Sequence, residues 1–228
     1  MRFLIPLLLC FMVSFANNFA DELYEVAQFA YNNKEYNKAL YYYKESAKEK
    51  NDKALLKLGE LYYKGEIVEK GYAKAYSYFE QAANLGNLQA KYFMGIMHTN
   101  KKTIYYDLQK AFTIFQSLEN TNHAGALNRL GMFYTFGFNT VEKDYKKAVK
   151  LYERSSKQGF ETAHCNLAYM YASGKGVWQN LGRAHAFAKE GVKNKNDICL
   201  SVWKVFKLEK YPEDKGWKFN FYNQPTGK

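Results

Sequence analysis

A short signature recurs about every 36 residues along this chain, a spacing that falls in the range of helical repeat proteins. The pattern Ala-x-x-x-Leu-Gly-x-x-Tyr begins at Ala54 and again at Ala126, and variants of it begin at Ala90 and Ala163. A fixed period of this length is typical of chains in which no single unit buries its apolar face alone. Neighbouring units must then complete one another's core, which favours a binding surface over a catalytic centre.

Each repeat predicts a pair of helices. In the first full unit the apolar side chains fall at helical spacing, and Asn51 ahead of them supplies an N-cap. The helix is expected to end near Gly65, because glycine adopts the left-handed conformation that terminates helices. A second helix follows from about residue 72 to 85, opens on a basic residue with an alanine, and carries Phe79 inward. The prediction is an all-α fold, a right-handed α-solenoid of antiparallel helix pairs.

These signatures resemble the Sel-one-like repeat, a relative of the tetratricopeptide repeat, over about residues 22–207. The resemblance implies an exported bacterial repeat protein that binds a protein or peptide. Exported proteins of this kind include the cysteine-rich Hcp type, which are described as beta-lactamases or penicillin-binding proteins. The Hcp pattern pairs cysteines across each repeat junction, whereas Ser46 and Ala54 stand at such a junction here. A weak lactam-related activity is therefore an alternative that the resemblance alone suggests.

The repeats divide the chain into segments whose ends differ from the middle, as capping units should. We expect a signal peptide at 1–16, a shortened tetratricopeptide-like capping repeat at 17–53, four Sel-one-like repeats at 54–89, 90–125, 126–162 and 163–195, and a C-terminal capping helix with a tail at 196–228.

The first sixteen residues have the pattern of a secretory signal. Arg2 gives a positive start, an apolar run extends to Phe15, and small residues precede a cleavage site after Ala16. A second cleavage site follows Ala20. The run is shorter than the roughly 20 residues that span a bilayer, and no later segment is apolar enough to do so. The sequence predicts a periplasmic or secreted protein without a membrane span, and it does not separate the two locations.

The charge balance is basic, with 33 Lys and Arg against 22 Asp and Glu, a formal net charge of +11. One interpretation is an anionic partner such as nucleic acid, lipid headgroups or a cell-envelope polymer. The other is the abundance of lysine, asparagine, tyrosine and phenylalanine that an AT-rich genome produces. No lysine–arginine cluster, zinc-finger spacing or RNA-binding signature is present, so a nucleic-acid partner is not expected.

The catalytic motifs are weak. Ser201 and Lys204 have the Ser-x-x-Lys spacing of serine beta-lactamases, but the Ser-Asp-Asn and Lys-Thr-Gly motifs that accompany it there are absent. The histidines lack metal-ligand spacing on a shared helix. Gly174-x-Gly176 follows a helix rather than a strand, so it does not indicate a nucleotide site. We predict no catalytic residue, no metal and no cofactor.

Two cysteines remain after removal of a signal peptide, Cys165 and Cys199, and they open consecutive first helices that should lie side by side. An oxidising compartment favours a disulfide between them. Bonding requires Cα atoms within about 7 Å, and the offset of one turn between the cysteines leaves two free thiols as the alternative.

The side of each first helix that faces away from its partner helix carries several large side chains. In helical-repeat solenoids this side lines a concave groove, and exposed apolar groups often mark a partner surface. Packing against the neighbouring first helix is the alternative explanation. The predicted partner is a protein or peptide, or a cell-envelope polymer, bound by a monomer; a secreted effector acting on a host partner is a further alternative. The candidate groove residues are Tyr63, Tyr92, Asn128, Met132, Phe136 and Tyr169.

Overall fold

A computed structural model describes residues 19–138 and 140–214 of the chain. The expected signal peptide and the C-terminal tail from 215 onward lie outside the described residues. Regular structure in the described part is helical, apart from one bridge between Phe138 and Val141. The helices are α1 (19–32), α2 (Tyr36–Lys48), α3 (Asp52–Lys64), α4 (Tyr72–Asn84), α5 (Leu88–Thr99), α6 (Leu108–Ser117), α7 (Ala124–Phe136), α8 (Tyr145–Ser156), α9 (Glu161–Ser173), α10 (Leu181–Lys193) and α11 (Asp197–Phe206).

The helices form two compact units, one through Asp107 and one from Leu108 onward. In the first unit α2, α3, α4 and α5 pack consecutively, and α3 also contacts α5. In the second unit α6 to α11 pack consecutively, and α9 also contacts α11. Odd-numbered helices are the first helices of their repeats, so first helices lie next to first helices within a unit. The predicted all-α fold of consecutive helix pairs is confirmed.

Asparagine at the start of a first helix has two contacts. The Oδ1 atom of Asn51 accepts a hydrogen bond from the backbone N–H of Ala54, which caps α3 as predicted. Its amide nitrogen donates to a carboxylate at the start of the preceding first helix. Each such side chain therefore joins two neighbouring repeats. The amide–carboxylate pairs are Asn51–Asp21 at 2.9 Å, Asn87–Asp52 at 2.7 Å and Asn196–Glu161 at 2.9 Å.

The glycine of the repeat signature allows the two helices of a pair to approach closely. A Cβ atom on Gly59 would lie 2.5 Å from ring carbons of Phe79, which is buried on α4. A Cβ atom on Gly131 would lie 2.6 Å from a ring carbon of Tyr152 on α8. Both distances are well inside van der Waals contact. An aromatic ring therefore occupies the space that a side chain would need.

The basic residue and alanine that open the second helix have separate roles. The alanines, Ala75, Ala148 and Ala184, are completely buried. The basic side chain before each one lies over the ring of the signature tyrosine on the partner helix, within the distance of a cation–π interaction. These pairs are Lys74 over Tyr62 at 5.3 Å, Lys147 over Tyr134 at 4.3 Å and Arg183 over Tyr171 at 5.1 Å from the ring centroid.

A disulfide joins Cys165 of α9 to Cys199 of α11, with the two Cα atoms 4.7 Å apart. This is the pairing that the sequence predicted. Both cysteines are completely buried in the core of the second unit. Gly191 of α10 faces the bond, and a Cβ atom there would collide with Cys199 Sγ. The missing side chain at 191 thus leaves space for the bridge.

Candidate functional site

The candidate site lies on the first helices of the second unit. The Nδ2 atom of Asn166 on α9 donates to Oδ1 of Asn128 on α7 at 2.8 Å, which holds these two first helices together. The ring of Tyr169, also on α9, packs 6.4 Å from the ring of Phe206 on α11, centroid to centroid. The first helices α7, α9 and α11 are therefore neighbours, and the candidate face is built on α7 and α9.

Three of the predicted groove residues line this face. Met132 and Phe136 lie one helical turn apart on the same side of α7, and Met132 is partly buried against the core. Phe136 is 64% exposed. Tyr169 occupies on α9 the repeat position that Met132 occupies on α7, and it is also partly buried. Met132, Phe136 and Tyr169 are called the first-helix face below.

Asn128 is a predicted groove residue that the structure buries. Its side chain was expected to meet a ligand, but Asn128 is only 2% exposed. The neighbouring helix α9 covers it, and Asn166 Nδ2 donates a hydrogen bond to the side-chain oxygen of Asn128. Asn128 therefore positions α9 against α7 and does not offer a group to a partner.

The two predicted residues of the first unit meet at one aromatic side chain. Tyr63 is partly buried, and its ring lies 6.5 Å from Phe79 and 6.4 Å from Phe93. Tyr92 is also partly buried, with its ring 5.7 Å from Phe93. For Tyr63, packing between neighbouring helices accounts for the observed contacts, as the alternative explanation anticipated.

One residue of the candidate site, Lys175, was not identified from the sequence. Lys175 lies in the glycine turn after α9, and its Nζ atom donates a hydrogen bond to the hydroxyl of Tyr169. The same ammonium group lies 4.9 Å from the Tyr169 ring and 5.5 Å from the Tyr145 ring. The hydrogen bond raises the pKa of Lys175, so the amine stays charged at neutral pH. Its place between two glycines identified a turn but gave no sign of this contact.

The Ser-x-x-Lys motif lies on the C-terminal helix. Ser201 and Lys204 are one turn apart on α11, and both residues are exposed. Within the described residues, none of the helices combines the length and the apolar character needed to cross a membrane.

Repeated helix pairs that pack on their neighbours within each unit are the defining feature of a helical repeat protein. A model of the Sel1 repeat matches residues 33–51, 52–87, 124–160 and 162–195, and the chain belongs to the Sel1 repeat family. Proteins built of these repeats are protein-interaction scaffolds. Residues 88–123, outside the matches, have His98 in place of the signature tyrosine and a loop without glycine. No curated protein matches the chain significantly.

Solved structures of Sel1 repeat proteins share this fold. The chain is similar to a protective antigen of uropathogenic Escherichia coli that displays an SLR fold, with a TM-score of 0.74 and 23% identity over 84% of this chain. It spans 42% of the length of that antigen. It is similar to a Sel1 repeat protein from Oxalobacter formigenes, with a TM-score of 0.67, 24% identity and coverage of 89% of this chain and 82% of the other. A putative Sel1 repeat protein from Klebsiella pneumoniae gives a TM-score of 0.54, with 19% identity and coverage of 82% and 93%.

Proposed function

We propose that the chain is an exported scaffold that holds a peptide or protein segment against the first-helix face of its second unit. The observation that carries the proposal is Phe136, a large aromatic side chain with 64% of its surface exposed at the end of a first helix. Exposure of such a side chain, one helical turn from Met132, costs solvation free energy, which a bound partner recovers.

The chemistry of this face suggests what it binds. Methionine adapts its shape to different apolar partners, and a tyrosine ring gives a large contact area with little loss of conformational entropy. The Lys175 ammonium group beside Tyr169 adds a positive charge that can meet a carboxylate. A segment with aliphatic or aromatic side chains and at least one acidic residue fits this combination.

Two observations support export. The apolar run before residue 16 has the pattern of a secretory signal. The buried Cys165–Cys199 disulfide is a bond that persists in oxidising compartments. Mass spectrometry of the mature protein is expected to find Asn17, or Asp21 after the second cleavage site, as the first residue. An intact Met1 on cytosolic protein would contradict export.

Site-specific photo-crosslinking in cells tests the binding face. A benzoylphenylalanine at position 136 is expected to form a discrete adduct. Tyr169→Ala is expected to reduce the yield of this adduct, because the proposed partner would lose its contact with the tyrosine ring on α9. The matched control places the same group at Trp178, an aromatic residue of the same unit that is 91% exposed but lies in a loop. Equal adducts from positions 136 and 178, or none from 136, would exclude the first-helix face as the binding surface.

A further inference from the structure

A separate cleft of about 750 Å³ opens in the second unit where the loop between α7 and α8 meets the start of α8. Phe112 of α6, Tyr134 of α7 and Val141 of the loop contribute apolar surface to its lining. Gly176 also lines it and packs so closely on the backbone of Tyr145 that a Cβ atom would collide with it. Two neighbouring interhelical loops therefore shape this cleft together.

Four lysine ammonium groups lie in the lining of the cleft or beside it. Lys143 and Lys146 are part of its lining. Two more ammonium groups lie over rings that line it, Lys147 at 4.3 Å from the Tyr134 centroid and Lys175 at 5.5 Å from the Tyr145 centroid. None of these four lysines forms a salt bridge with a residue in the described part of the chain.

Two of these four positive groups, Lys147 and Lys175, are held in place by hydrogen bonds. Lys147 Nζ donates a hydrogen bond to the hydroxyl of Tyr134 at 2.8 Å, which raises the pKa of Lys147 and keeps it charged. Lys175 is held in the same manner by Tyr169. Positive groups fixed beside an apolar cleft attract an anionic ligand without a further loss of side-chain entropy.

Two carboxylates in the lining disfavour a ligand that carries a negative charge on every unit. Glu142 and Asp144 also line the cleft, and Asp144 Oδ1 accepts a hydrogen bond from the backbone N–H of Lys147 as the N-cap of α8. A polymer with a negative charge on every unit would place some of its charges against these carboxylates. A peptide can place acidic side chains opposite the lysines and uncharged ones elsewhere, so the lining favours a peptide over a polyanion.

We propose that this cleft binds an acidic peptide segment of a partner protein. In this arrangement, peptide carboxylates meet Lys143 and Lys146, while an aliphatic or aromatic side chain rests on Phe112 and Tyr134. The volume falls within the range of about 300–1,000 Å³ that is usual for ligand pockets, which suits a short segment rather than a folded domain. Lys175 contacts both Tyr169 and Tyr145 and so borders both surfaces, but the residues that line this cleft are otherwise different from those of the first-helix face.

Selection from a peptide library, followed by measurement of affinity, tests the proposal. A random hexapeptide library is selected on the full-length mature protein at about 150 mM salt, where unspecific long-range attraction is screened. Enriched peptides are expected to combine glutamate or aspartate with an aromatic or aliphatic residue. One enriched peptide, labelled with fluorescein, then serves as the probe for fluorescence anisotropy, and its charge-reversed lysine version is the negative control.

Charge-reversal variants locate the binding. The double variant Lys143→Glu, Lys146→Glu is expected to weaken probe binding by at least about tenfold, because two favourable contacts become repulsive. The matched control Lys193→Glu, Lys195→Glu makes the same change of net charge at the other end of the second helices and is expected to leave the affinity within about twofold. Circular dichroism establishes that each variant is folded.

Three results would overturn the proposal. The first is a library selection without enrichment of acidic peptides. The second is an equal loss of affinity in the two double variants, which would indicate attraction to net charge alone. The third is binding of heparin or of vesicles containing phosphatidylglycerol in a Lys143- and Lys146-dependent manner while acidic peptides fail to bind, since the ligand would then be a polyanion or a lipid surface.

Discussion

Replacement of Gly131 by alanine has two opposing effects on the free energy of unfolding. In the interior of a helix, alanine is favoured over glycine by about 1 kcal/mol. The added Cβ atom would, however, lie 2.6 Å from Cε1 and 2.8 Å from Cδ1 of Tyr152. One of the two side chains, or one of the two helices, must therefore move.

The surroundings of Tyr152 decide which effect is larger. The ring is 1% exposed, and its hydroxyl forms a 2.9 Å hydrogen bond with Thr135 Oγ1, so it has no free space to rotate into. Overpacking of a filled core costs about 1–3 kcal/mol, and a lost hydrogen bond adds about 1 kcal/mol. After the gain in helix propensity, we expect Gly131→Ala to lower the free energy of unfolding by about 1–3 kcal/mol.

Urea unfolding followed by circular dichroism measures this difference. The same substitution is also made in a Tyr152→Leu background, where the ring is absent and only the gain in helix propensity remains. There Gly131→Ala is expected to be neutral or stabilising by up to about 1 kcal/mol, which corresponds to a coupling energy of about 1–4 kcal/mol between the two positions. If the alanine stabilises the wild-type background, or has the same effect in both, the close approach of these helices is not the reason for the glycine.

Three further outcomes are expected. Reduction of Cys165–Cys199, which lie 34 residues apart, should lower the free energy of unfolding by about 4 kcal/mol on the chain-entropy estimate; unchanged urea midpoints with and without reductant would refute it. Burial raises the pKa of Glu153 to about 7 from 4.5, so between these values the folded state binds more protons and stability falls as pH rises. Glu153→Gln should therefore raise the melting temperature at pH about 8 relative to wild type but not at pH about 5. Hydrolysis of a chromogenic lactam should not depend on Ser201, and turnover abolished by Ser201→Ala would show otherwise.

The fold could be predicted from the repeat period, because the residues that form each helix pair lie close together in the sequence. The positions of glycine, alanine and tyrosine in each unit identify which side of a helix faces its partner, and Asn51 and Gly65 mark where a helix begins and ends. The disulfide followed in the same way, since Cys165 and Cys199 open first helices of consecutive repeats. All of these inferences need only the helical period and the order of the helices.

The candidate site was harder to predict, because it depends on contacts between repeats. Helical spacing placed Asn128 on the side away from α8, but α9 covers part of that side. How much is covered depends on the lateral offset between first helices, which no single repeat encodes. Lys175 could not be identified from the sequence for a related reason. Its amine reaches both Tyr169 and Tyr145 only because of the conformation of the loop after α9, which the sequence pattern does not specify.

The asparagines at the starts of first helices couple two levels of organisation. One amide group caps its own helix with its oxygen and binds the preceding first helix with its nitrogen, as Asn87 does with Ala90 and Asp52. The start of a helix is thereby most stable when the neighbouring repeat is already folded. In a linear array this is a nearest-neighbour coupling, the quantity that makes repeats fold together rather than one at a time. Cooperativity along each unit thus depends in part on a single type of side chain at the helix ends.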